Sequence, residues 1–69
     1  MDIRVKQLGQ AIRAQRLAQG LSQTRLALMI HTDQSVIARI EAGNHSTGIS
    51  QLIKIADALD LPLNELIPF

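Results

Sequence analysis

The sequence predicts an all-α domain. Apolar residues recur three and four positions apart, as in Val5–Leu8–Ile12 and Val36–Ile37–Ile40. That spacing lines one face of a helix. Helix-boundary residues separate the runs: Ser22 and Asp33 precede two of them, and Gly20 closes another. No segment alternates apolar and polar residues as a half-buried strand does.

The first helix is expected from about Arg4 to Gln19. Val5, Leu8 and Ile12 form its stripe and Gly20 ends it. Arg16 falls at the edge of that stripe. Ser22 can cap the second helix, its hydroxyl accepting an otherwise orphaned backbone N–H. Leu26 and Ile30 lie one turn apart in it, with Ala27 beside them. Ala27 is small where two helices must cross closely. A left-handed residue is expected near His31. Histidine is among the few non-glycine residues enriched in that conformation, at a cost of about 1 kcal/mol relative to glycine. Asp33 can cap the third helix and favours its positive end.

On a wheel of about 100° per residue, Val36, Ile37 and Ile40 cluster on one side of the third helix. Gln34, Ser35, Ala38, Arg39 and Ala42 fall on the other. Such a face is polar near its start and small further along. A side chain like Gln34 can bond an adenine edge in two places, Arg39 can reach guanine or phosphate, and Ser35 suits several partners. Taken alone, the same face also suits plain solvation. The preceding helix, the turn and the caps turn it toward a DNA-reading helix-turn-helix.

The remainder is helical in pattern. Ile49, Leu52, Ile53, Ile55, Ala56 and Leu59 cover a wide arc between Gly48 and Leu59. Pro62 suits the first turn of a last short helix within LPLNELI. Glu41 lies beside Ile37 on the wheel, so Glu41 and Arg16 border one core with opposite charges. Spacing alone leaves open a pair or two separate surface charges.

A chain of 69 residues, 46% of them apolar, makes one domain spanning 1–69, near the lower size limit for independent folding. It has no cysteine and therefore no disulfide or thiolate metal site. No apolar run approaches the roughly 18 residues of a membrane span, and no signal peptide is read at the start. A cytoplasmic location is expected. Net charge is only +1, but it is unevenly spread. All seven basic residues lie at or before Lys54, against Asp2, Asp33 and Glu41, and Asp57, Asp60 and Glu65 follow. The asymmetry points weakly to an anionic partner on the N-terminal side. Catalysis finds little support. His31 and His45 lack a ligand-like pairing, and no phosphate-cradling glycine loop exists. No cofactor, metal or catalytic residue is expected.

The segments LGQAIRAQR (8–16), GLSQTRLA (20–27), IARIEAG (37–43) and LIKIADALDLPLNELI (52–67) occur in an order that resembles the Cro/CI-type helix-turn-helix family, also called XRE. The resemblance covers nearly the whole chain. It implies a compact, lambda-repressor-like five-helix bundle whose second and third helices read DNA. It implies base contacts at Gln34, Ser35, Ala38 and Arg39, with Arg39 also able to meet the backbone. Backbone contacts are implied at Gln23, Asn44, His45 and Ser46. It implies that Arg16 and Glu41 form a buried ion pair. Three departures stand out: Asp33 replaces an uncharged Ser or Thr, His31 replaces glycine, and the loop NHST lacks the usual basic residues. They point to modest affinity or dependence on a partner.

A regulator of this kind is expected to act as a repressor and to bind a palindromic operator as a homodimer. Leu61, Leu63, Leu66, Ile67 and Phe69 crowd the C-terminus and make it the expected dimer surface. The alternative is that Leu63, Leu66 and Ile67 merely close the domain's own core, with Phe69 frayed. The competing function is a protein-interaction module or antitoxin-like partner on the same fold, in which double-stranded DNA is secondary.

Overall fold

Local chemistry starts and stops each helix. The computed structural model describes residues 2–69. Asp2 caps the first helix, α1 (Ile3–Ala18), by accepting from the Arg4 backbone N–H. Its carboxyl is held down at about 2 by hydrogen bonds from the Arg4 side chain and backbone. Ser22 caps α2 (Gln23–Met29), its hydroxyl accepting from the Arg25 N–H at 3.0 Å. The third helix, α3 (Gln34–Glu41), follows Asp33, and α4 (Ile49–Ala58) follows Gly48. One turn, α5 (Leu63–Leu66), follows Pro62. Among the described residues there are five helices and no strand, as the periodicity predicts.

Four of these helices end alike. Gly20, His31, Gly43 and Asp60 each take a positive φ, between 57° and 77°. The next residue then bonds back to the last turn: Leu21 to Arg16, Thr32 to Ala27, Asn44 to Arg39, and Leu61 to Ala56. This left-handed cap satisfies carbonyls that the helix leaves orphaned. His31 adopts the left-handed backbone expected of it. Asp60 does the same without having been marked by the sequence.

The core is aliphatic. Ile12, Leu26, Ile37, Ile40, Ile55, Leu59 and Leu66 are fully buried, each worth about 1.5–3 kcal/mol of burial. α3 packs on α2 and α1, while α5 rests on α1 and α4. α1 and α3 approach closely at Gly9, where an added Cβ would strike the carbonyl oxygen of Ile40. Ala27 is buried, consistent with a tight crossing by α2.

Three details differ from expectation. Asp33 occupies the N-cap position of α3, but its side chain makes no capping hydrogen bond. On α4 only Leu52, Ile55 and Ala56 are buried, with Leu59 just beyond, whereas Ile49 and Ile53 face outward. Leu66 is 1% exposed and belongs to the domain's own core, so it has no surface to offer a partner.

Candidate nucleic-acid interface

The interface is built outward from a buried ion pair. Arg16 and Glu41 bring α1 and the end of α3 together, and both are buried. Arg16 grips the carboxylate with two bonds, Nε to Oε2 at 2.7 Å and Nη2 to Oε1 at 2.8 Å. Its third donor, Nη1, reaches the Leu21 carbonyl at 2.8 Å and ties down the α1–α2 turn. Hydrogen bonding to Glu41 raises the Arg16 guanidinium above its already high ordinary value. A paired, fully satisfied guanidinium is the form in which a charge can persist inside a small domain.

Glu41 carries the network toward the surface. Its Oε1 also accepts from Gln23 Nε2 at 3.1 Å, and Gln23 Oε1 accepts from Gln34 Nε2 at 2.8 Å. A hydrogen-bonded chain thus runs Arg16–Glu41–Gln23–Gln34, from core to exposed helix start. Spacing alone could not show this chain, because its four members come from three helices.

Gln34 and Ser35, at the first turn of α3, are exposed, as is Arg39 one turn further. Ala38 lies half-buried between them and α1. This leaves an outer face of short side chains with one guanidinium. Asn44 and Ser46 are exposed in the loop after α3, and His45 is half-buried there. The structure therefore gathers Gln23, Gln34, Ser35, Ala38 and Arg39 on or beside the α2–α3 unit, with residues 44–46 following α3.

Sequence reasoning missed one neighbour of this face. Arg13 on α1 shares a cleft of about 300 Å³ with Gln23, Ala38, Glu41 and Ala42. Ala42 stands on the same outward side as Ala38, and its small size helps keep that cleft open. A larger cleft of about 380 Å³, between Met29–His31 and Lys54–Ala58, contains none of the DNA-facing residues expected from the sequence. Among the described residues no cluster of His, Asp and Glu could hold a metal ion. No helix there is long and apolar enough to cross a membrane.

A family model described as helix-turn-helix matches residues 12–66. This chain belongs to the helix-turn-helix family of the XRE type. It is 36% identical over 63 residues to an uncharacterized HTH-type transcriptional regulator, y4dL, of Sinorhizobium fredii. That match takes in 91% of this chain but 32% of the relative, so the chain spans about a third of that protein. Among solved structures it is similar to the restriction-modification controller protein C.AhdI from Aeromonas hydrophila. The TM-score is 0.90, with 34% identity over 93% of each chain. The DNA-binding domain of BldD from S. venezulae superposes with a TM-score of 0.86 at 30% identity, covering 97% of this chain and 100% of that one. The chain is thus a helix-turn-helix domain of a family of DNA-binding transcriptional regulators.

Proposed function

We propose that the domain is a cytoplasmic repressor that binds a palindromic operator as a homodimer, with α3 in the major groove. One observation carries the reading: the Gln23–Gln34 hydrogen bond. It uses one N–H of the Gln34 amide. The second N–H and the carbonyl oxygen remain free, the pair needed to bond adenine N7 and N6 together. Because Gln23 is itself held by Glu41, the Gln34 amide is oriented before DNA arrives. Such preorganisation lowers the ordering cost of binding.

Ser35 and Arg39 then meet neighbouring bases, and Ala38 lets the helix approach. Gln23, Asn44, His45 and Ser46 meet the sugar-phosphate backbone. Two-fold pairing through the C-terminus would supply the second half-site that one small helix-turn-helix needs. A domain seated on a promoter would exclude other proteins from that stretch of DNA, which is why repression is favoured.

Selection of bound sequences from a random DNA pool tests the reading. Recovery of a two-fold symmetric sequence is expected. Gln34→Ala should then cost about 1–3 kcal/mol on the selected site and relax preference at one base pair per half-site. An unenriched pool, or full affinity in the variant, would overturn it. A second reading, a protein-interaction or antitoxin-like module, draws on the exposed apolar residues Leu28, Met29, Ile49 and Ile53. An unenriched pool together with a stable protein complex would favour that one.

A further inference from the structure

We propose that Arg13, with Gln23, forms a seat for a DNA backbone phosphate in the cleft between α1, α2 and α3. The inference rests on the DNA-binding reading and adds to it a contact from outside the helix-turn-helix.

The cleft is lined by Arg13, Gln23, Ala38, Glu41 and Ala42, with a volume of about 300 Å³. Its charge is decided by subtraction. Glu41 would repel an anion, but its carboxylate is buried and taken up by two guanidinium bonds from Arg16. That pair cancels. Arg13 remains, exposed and without an ion-pair partner among the described residues. Its five N–H donors are therefore available. Gln23 adds another: one amide N–H is spent on Glu41 and the second is free, while its oxygen is occupied by Gln34. The cleft thus presents donors and one net positive charge, the complement of a phosphate.

Position selects DNA as the source of that phosphate. Two walls of the cleft, Gln23 and Ala38, belong to the α2–α3 unit proposed to enter the groove. With α3 in the groove, the strand at its rim passes this cleft. Ala38 and Ala42 leave the space that larger side chains would fill. Three other cations are less well placed. Arg4 is spent on Asp2, Arg16 on Glu41, and Lys54 lines the separate cleft beside Asp57.

The experiment is a titration of the full chain with a mixed-sequence duplex, followed by fluorescence anisotropy across a salt series. A lost phosphate contact lowers the slope of log K against log salt by about 0.9. Arg13→Gln should show that drop and weaken binding to specific and unrelated duplexes by the same factor. Arg13→Lys should keep the parent's slope, and so should Lys54→Gln. All three variants should melt with the parent, since neither side chain is buried. A parent-like slope in Arg13→Gln, with the parent itself binding, overturns this inference alone. So does an equal drop in Lys54→Gln, or saturable binding of inorganic phosphate to the parent that leaves the DNA slope of Arg13→Gln unchanged. A parent that binds no duplex at any salt overturns the DNA reading as well.

Discussion

Glu41 holds two jobs in one side chain. It neutralises Arg16 inside the domain and steadies Gln23 at its edge. Removing it would leave a buried guanidinium unpaired, at a cost of about 3–5 kcal/mol. That is a large share of the total for a domain of this size. Glu65, exposed on α5, has no such partner among the described residues. Glu41→Ala should therefore lower the melting temperature far more than Glu65→Ala, and calorimetry of the two variants checks it. Comparable small losses would show that the pair contributes little. Asp33 is the contrasting acid. It makes no capping bond, so its carboxylate favours the helix start only through the dipole. On the proposed docking it also repels nearby phosphate, an effect that salt screens. Asp33→Ser should leave stability nearly unchanged and tighten DNA binding, chiefly at low salt. If titrations show weaker binding instead, Asp33 accepts from a base, a cytosine amino group being the suitable donor.

Element ends and crossings show what was legible and what was not. Ser22 could be read as a cap and His31 as a left-handed turn because both depend on a residue type beside a helical run. The stripes Ile12, Leu26, Ile37, Ile40 could be read because periodicity is local. The rest depended on what lies across the molecule. Asp60 is left-handed at the end of α4, but an aspartate there looks like any polar loop residue. Ile49 and Ile53 carry core chemistry on an outward face, since they border the buried arc beside the polar stripe of Ser50, Lys54 and Asp57, and periodicity does not fix where that arc ends. At the site, the arginine and both glutamines were identified separately, but their hydrogen-bonded order belongs to the tertiary structure. Gly9 is the clearest case. Within α1 it reads as a weak helix former, whereas in space it lets α3 approach the backbone of α1. The neighbour that an added methyl group meets is a carbonyl oxygen rather than a movable side chain, so the helices themselves must shift. Gly9→Ala should accordingly destabilise the domain by about 1–3 kcal/mol, despite alanine's better helix propensity. Urea denaturation measures it, and a more stable variant would mean that α1 slides without cost.

At the scale of the whole molecule, the proposed dimer has to meet a distance. The domain measures 27 × 24 × 21 Å. Half-sites one turn apart require recognition helices about 34 Å from each other, more than one domain width. Two copies side by side meet that distance only if each α3 lies off-centre, away from the two-fold axis. α5 rests on α1 and α4, while α3 packs on α1 and α2, so an axis near α5 leaves α3 free for DNA. The C-terminal surface is narrower than its sequence suggests. Leu66 is inside, and Leu61, Leu63 and Ile67 are half-buried against the core, leaving Phe69 63% exposed. An exposed aromatic ring is the kind of anchor that dominates small interfaces. We therefore expect Phe69 to be the main dimer contact, flanked by the outer edges of Leu61, Leu63 and Ile67. Removing Phe69 alone should shift the chain toward monomer in sedimentation equilibrium while its melting as a monomer stays unchanged, because the ring supports no core packing. Leu63→Asp should also favour monomer but lose stability, since Leu63 packs on the core as well. A parent chain that remains monomeric at high micromolar concentration, with and without palindromic DNA, would exclude the C-terminal dimer.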